Sequence, residues 1–443
     1  MVAVISENLR IFNAEQFKES VSEPASSKVY FTFGRGYSWA NDSAPQQANS
    51  SVTVFNEVWD NMIGAKLITG NDIRHVTLRY DWSANTVYPA YDHCICSLQL
   101  FAPNTPFYVV TTDWNVYKCL ANNAGANSTV MPTSISTTSP SETSDGYIWK
   151  YMYTISADER MKFTTDSYIP VKTLSQDDGS LQWDVQANSV PGAINVIRVT
   201  NGGNNYTNAA TITITITGDG TGATATANVN TISNTVSTIS VTNPGRDYTY
   251  AEVNITVSGS GSGAAARAII SPPGGHGSDP LRELGGSYLM INPRLRGSEN
   301  GVLPVNNEYR QISLISDPLV FESANIESNT VVSQLTILTL NGTSSEYIED
   351  EIVYQGASLS TSTFRGRVYQ WDSPNNVVKL TNTLGIPTTD ILIGANSTGA
   401  RFVDSVTNPT MRKYSGELLY IDNIKPISRD ADQTEDYKIT FSF

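Results

Sequence analysis

The chain is 443 residues long, room for roughly two to four domains with cores of their own. Only 16% of it is charged, and Thr, Ser, Asn and Gly fill the deficit, which favours β-rich architecture over helical bundles. A net charge of −14 with no run of Lys or Arg argues against nucleic acid as a partner and disfavours anionic membranes, since both need clustered cations.

Two helices are predicted, both early. Residues 9–21 (LRIFNAEQFKESV) set Leu9, Phe12, Phe17 and Val21 on one stripe, with Pro24 as the stop. The stretch SVTVFNEVWDNMIG places Phe55, Val58, Trp59, Met62 and Ile63 at the period of a buried helical face, with Ser51 to cap its start and Gly64 its end. Period-two alternation predicts strands at 29–33, 74–80, 107–112, 115–120, 147–155 and 310–315. The polar loop 122–146 is long for a compact domain and reads as a binding element or a mobile one.

An internal repeat begins near residue 194. At an offset of 42, Val199 matches Val241, Asn201 matches Asn243, Gly203 matches Gly245 and Tyr206 matches Tyr248. One residue is then lost. At an offset of 41, Ile212, Ile214 and Ile216 match Val253, Ile255 and Val257, and Gly218, Gly220 and Gly222 match Gly259, Gly261 and Gly263. One such unit buries little, so the two are expected to pack together as one β-module over 191–275, ending at the joint SPPGGHGSDP. The segment 330–405 reads as a second inserted β-rich module. The expected fold is mainly β with a minor α component. A discontinuous α+β core (1–190, 276–329 and 406–443) is interrupted by the two modules.

Chemistry is sparse. His75, His93 and His276 have no Ser or Cys beside them in a catalytic pattern, apart from the run DHCIC (92–96). If that run is a strand, Cys94 and Cys96 face one side and His93 the other, so no metal site forms. DADQT (430–434) lacks the βα units that an aspartyl-phosphate site needs, and GSGSGA (259–264) leads into a strand and not a helix. Acidic residues such as Glu346, Glu349, Asp350 and Glu351 announce no glycosidase pair. The start of the chain shows no signal-peptide pattern, and no stretch nears the ~20 apolar residues of a membrane span. Three cysteines make no disulfide framework, which points to a reducing cytoplasm. No catalytic, cofactor-binding or metal residues are predicted, and no small-molecule substrate.

Five segments carry a resemblance: VYFTFGRGYSWANDSAP (29–45), NVYKCL (115–120), SDGYIWKYMYTI (144–155), EYRQISLISDPL (308–319) and MRKYSGELLYIDNIKPISRDADQTEDYKITFSF (411–443). In this order the chain resembles the baseplate wedge subunits of contractile-tailed bacteriophages, the gene-eight class of T-even-type phages. The two modules depart from that pattern and look like additions of the kind found in cyanobacterial myophages. The resemblance implies a non-enzymatic structural protein of the virion baseplate, made in the host cytoplasm. It also implies a homodimer that contacts other wedge proteins and takes part in the rearrangement that triggers sheath contraction. In that frame the closing segment is a structural seal, its DQTE run an exposed turn, and Phe33, Arg35, Tyr37 and Trp39 are candidate interface residues, although the same aromatics suit a core.

A rival reading is a carbohydrate- or receptor-binding tail protein whose modules stack sugars on Tyr206, Tyr248 and Trp371. A third is a polysaccharide depolymerase.

Overall fold

Period-two alternation governs most of the chain, and the computed structural model, which describes residues 5–23, 27–342 and 346–443, is mainly β with short helices between strands. Helix α1 (Glu7–Ser22) covers the first predicted helix, but its buried residues are Ile11, Ala14 and Val21, while Leu9 and Phe12 are 47% and 52% exposed. The large side chains mislead about its phase, because small Ala14 marks the face that approaches its neighbours. The stop at Pro24 lies outside the described residues. Helix α2 (Val52–Asn61) is capped as expected, the Ser51 hydroxyl accepting the Val54 N–H at 3.3 Å. It stops early, however. Met62 and Ile63 belong to the strand Met62–Leu67, and Gly64 is no cap: a Cβ there would lie 2.5 Å from Leu303 and 3.1 Å from the Val332 carbonyl. Gly64 serves the close approach of strands.

The chain divides into two compact units, one of Met1–Gln16, Arg74–Met290 and Thr440–Phe443, the other of Phe17–Ile73 and Ile291–Ile439. In the first, an antiparallel sheet runs in the order Tyr108–Val110, Asn115–Asn122, Tyr147–Thr154, Ser141–Glu142. Its faces bury Tyr117, Tyr147, Trp149 and Tyr151 on one side and Val116, Met152 and Tyr153 on the other. The loop 122–146 is tied down. Asp145 accepts the backbone N–H groups of Thr129 and Val130 at 2.7 and 2.9 Å, and Lys150 donates to the carbonyls of Thr137 and Thr138 at 3.1 and 3.3 Å. The closing strand Ile439–Ser442 joins a sheet with Tyr288–Ile291, Ile73–Leu78 and Tyr168–Pro170.

The repeat occupies six strands of this unit: β1 (Ile194–Asn204), β2 (Ile212–Gly218), β3 (Thr221–Asn230), β4 (Thr235–Arg246), β5 (Ala251–Val257) and β6 (Ser262–Ile270), in the order β2-β5-β6-β1-β4-β3. Two matched pairs of strands lie side by side, β2 with β5 and β1 with β4. Ile214 faces Ile255, with Ile212 opposite Val257 and Ile216 opposite Val253 about that centre, while Ile197 faces Ile239. The two repeats are therefore related by an internal two-fold. Each tyrosine seals it in turn: Tyr206 covers Gly203 of its own repeat and Gly261 of the other, and Tyr248 covers Gly245 and Gly220. Tyr206 and Tyr248 are 3% and 4% exposed.

In the second unit a five-stranded antiparallel sheet runs Val331–Ser333, Met62–Leu67, Val29–Gly34, Asn307–Ser316, Glu417–Arg429. Helix α2 packs Val58 and Trp59 with Tyr30, Ala65 and Ile315 of that sheet. Six further strands close into a barrel: β7 (Thr336–Leu340), β8 (Ile352–Gln355), β9 (Phe364–Asp372), β10 (Val377–Gly385), β11 (Ile391–Gly394) and β12 (Ala400–Thr407), in the order β7-β10-β9-β8-β11-β12. Leu338, Val353, Val368, Val378, Leu380 and Leu392 fill it and are wholly buried. The end of the chain corrects the exposed-turn reading of DQTE. Residues Thr434–Asp436 form a strand on Arg294–Arg296, and Glu435 is buried against Arg429 at 3.0 Å.

Candidate functional site

Of the predicted contact residues Phe33 lies in the strand Val29–Gly34 and the other three follow it, beginning where Arg35 adopts a left-handed φ of 60° and its N–H donates to the Asn61 carbonyl at 2.8 Å. That turn throws the guanidinium over two rings. It lies 3.6 Å from the centroid of Trp39 and 4.0 Å from that of Tyr37, and Nη1 donates to the Tyr37 hydroxyl at 2.9 Å. Arg367 of β9 stands on Tyr37 as well, at 4.5 Å. Desolvated cation–π contacts of this kind each stabilise by ~0.5–2 kcal/mol.

Asp42 holds the next turn. It accepts the Trp39 N–H at 2.7 Å and pairs with Arg310, whose guanidinium also reaches Glu308 at 2.7 Å and the Gly36 carbonyl at 2.5 Å. The bond from Arg310 holds the Asp42 carboxyl below the usual carboxylate range. Gly36 has no room for a side chain, since a Cβ would meet the Tyr369 ring at 2.6 Å. Phe33 is 1% exposed and edges onto Tyr309, and Trp39 is 8% exposed with its indole N–H donating to the Ile424 carbonyl at 3.1 Å. The structure thus brings Arg35, Tyr37 and Trp39 together, places Phe33 in the sheet core, and uses the group as the seam between barrel and sheet. Only Arg35 and Tyr37 keep partly open surface. Asp42, Arg310 and Arg367 complete the group and were not foreseen. Arg310 sits in the quoted segment EYRQISLISDPL, where an arginine inside an apolar strand is the legible signal.

The run at 92–96 is not a strand, which overturns the argument from alternation. A turn brings the ligand atoms of Asp92, His93 and Cys94 within 4.8 Å of one another, with Cys94 Sγ 3.5 Å from His93 Nε2. Asp92, however, is engaged. It pairs with Arg267 and with Arg198 at 3.0 Å, and although burial works to raise its pKa, Arg267 brings it down to about 2. His93 Nδ1 accepts the Ile270 N–H at 3.3 Å, so a neutral ring carries its proton on Nε2, the atom facing the sulfur. Two arginines on the carboxylate and a protonated Nε2 do not fit a cation.

A further polar cluster was invisible in the sequence. Lys118 is fully buried and donates to Glu283 at 2.7 Å, over the Tyr91 ring at 4.1 Å. Burial pushes the Glu283 carboxyl up, but the Lys118 charge overrides it and leaves it at about 2, while His276, buried beside them, falls to about 4. Tyr91, Lys118 and Glu283 line an open cavity of about 190 Å³ with Leu100 and Phe101. A permanently ionised Glu283 held by a lysine is neither a general acid nor a free base.

The module tyrosines are core residues. Trp371 is half-buried, edge-on to Tyr347 at 5.2 Å, with its indole N–H donated to Glu346. Glu351 accepts the backbone N–H groups of Ile348, Asn396 and Ser397, so it organises turns of the barrel. No described helix is long and apolar enough to cross a membrane.

Comparison with known proteins gives no matching family model. Among curated proteins the chain is similar to the baseplate wedge protein gp8 of Enterobacteria phage T4, 24% identical over 245 residues, which takes in 42% of this chain and 71% of that protein.

Proposed function

We propose that this chain is a structural protein of a phage tail baseplate, acting in its wedge and not as an enzyme. The observation that carries the reading is the similarity to the T4 wedge protein over most of that protein's length. The finer expectations join it as proposals. The chain belongs to the gene-eight class and pairs with a second copy. It contacts other wedge proteins and takes part in the shape change that precedes sheath contraction. Residues 191–275 and 330–405 are additions to the wedge core, a reading supported by strands β1–β6 pairing among themselves and by the closure of β7–β12. Arg35 and Tyr37, the partly open members of the stack, are the interface candidates that keep surface to offer.

The sugar-binding alternative loses two of its three stacking residues, because Tyr206 and Tyr248 are buried and their rings lie against glycines. The test is co-expression with the neighbouring tail genes and mass measurement of the product, together with a search for the chain in purified particles. A complex with tail proteins and presence in the particle are expected. A monomer that joins nothing and is missing from particles overturns the reading.

A further inference from the structure

We infer that the outer face of the barrel, centred on Arg365, docks a protein other than a second copy of this chain, one presenting a carboxylate flanked by apolar side chains. The inference rests on the structural reading above and names the surface through which it works. A closed barrel has no free edge, so a partner cannot add a strand to it and has to bind side chains. On a solvated barrel the outward positions are normally polar. On one arc of this barrel they are mostly apolar. Along one row, Leu384 of β10 pairs with Arg365 of β9, Arg365 with Tyr354 of β8, and Tyr354 with Ile393 of β11; in the next row Ile391 pairs with Phe402 of β12. Leu384 and Phe402 are 61% and 59% exposed and Ile391 38%, while Tyr354 and Ile393 are half-buried. An apolar belt of this extent on a protein surface marks a contact site.

Its chemistry selects the partner. Arg401 pairs with Glu346 at 3.7 Å and Arg367 donates to the Asp350 carbonyl at 2.8 Å, whereas Arg365 is exposed and its guanidinium has no hydrogen-bond or ion-pair partner among the described residues. An open guanidinium within an apolar belt, on a chain of net charge −14, calls for a carboxylate from outside. A two-fold contact centred on the belt sets Arg365 against its own copy, which like-charge repulsion opposes. Because the belt follows a convex barrel, its partner offers a groove.

The experiment uses the full chain co-expressed with the neighbouring tail proteins, as wild type, Arg365→Glu, Phe402→Ser and, as a control in the other compact unit, Ile232→Ser, a residue 94% exposed at a hairpin tip. All three substituted sites are on the surface, so unchanged circular dichroism and melting are expected. The wild type and Ile232→Ser assemble alike, and each belt variant weakens assembly by roughly tenfold or more. A carboxylate cross-linked near Arg365 in the complex, changed to Arg in the partner, restores binding to Arg365→Glu. Equal assembly of all four proteins overturns the belt while leaving the wedge reading intact. A wild type that joins no tail protein overturns the wedge reading and the belt with it. Self-association of the wild type alone that Arg365→Glu abolishes assigns the belt to a second copy and overturns the inference.

Discussion

Ile197 and Ile239, 42 positions apart and equivalent in the two repeats, face each other across β1 and β4. Their neighbours obey the same exchange: Ala268 pairs with Ile197 as Ala227 pairs with Ile239. One repeat leaves its apolar strand faces open, and an antiparallel copy covers them, so the module behaves as an intramolecular dimer. Neither tyrosine leaves room for a side chain on the glycine it covers. A Cβ at Gly261 would lie 2.7 Å from Tyr206, and one at Gly220 would press on Tyr248 and also meet the Arg246 carbonyl at 2.5 Å. Gly261→Ala is expected to cost about 1–3 kcal/mol in denaturant unfolding, and Gly220→Ala at least as much because its Cβ also meets backbone. A neutral effect at either glycine argues against the tyrosine packing.

Arg429 fixes the end of the chain. It is 1% exposed, donates to Glu435 and to the carbonyls of Pro304 and Gly297, and stands over the Phe33 ring at 5.1 Å. Arg429→Ala leaves Glu435 buried without its partner and is expected to destabilise by about 3–5 kcal/mol. The double change Arg429→Met with Glu435→Leu should recover much of that loss, read as the urea midpoint of each variant.

Stability should fall with acid in two stages. Burial, helped by the Lys118 charge, holds His276 at about 4 against its ordinary 6.5, so the unfolded chain binds a proton that the folded one refuses, and stability declines as pH drops from 6.5 to 4. Glu283 and Asp145 are held at about 2 against ordinary values of 4.5 and 3.8. Their contribution is complete above those ordinary values and disappears as pH falls towards 2. Melting temperature followed against pH should show both declines, and His276→Gln should flatten the first more than the second, because His276 also helps to hold Glu283 low.

The thiols should separate by access. Cys94 and Cys96 are exposed, whereas Cys119 is wholly buried and burial pushes its thiol up. Titration with a thiol reagent is expected to find two fast groups in the native protein and a third only on unfolding. Three fast thiols would show that the sheet around Cys119 opens readily.

Local pattern was legible where local physics governs. Alternation found the strands at 29–33, 115–120 and 147–155, and the Ser51 cap could be named because its partner is three residues away. It misled where a neighbour from afar intervenes. Helix α2 ends at Asn61 because Met62 pairs into a sheet, and Cys94 meets His93 because residues 92–96 turn instead of extending. Of the predicted contact residues, Arg35, Tyr37 and Trp39 do form one group, yet Arg310 and Arg367, which hold Asp42 and Tyr37 in it, come from strands far along the chain.

The amino-acid sequence by itself determined the β-rich character, the repeat and its register, because side-chain alternation and glycine placement act over a few residues. The tertiary structure alone decided that Lys118 meets Glu283 165 residues later, that Tyr206 and Tyr248 turn inwards, and that Phe402, Tyr354 and Leu384 turn out around Arg365. Period two says that neighbouring side chains oppose each other; which of the two faces is covered depends on what the closing sheet or barrel brings against it.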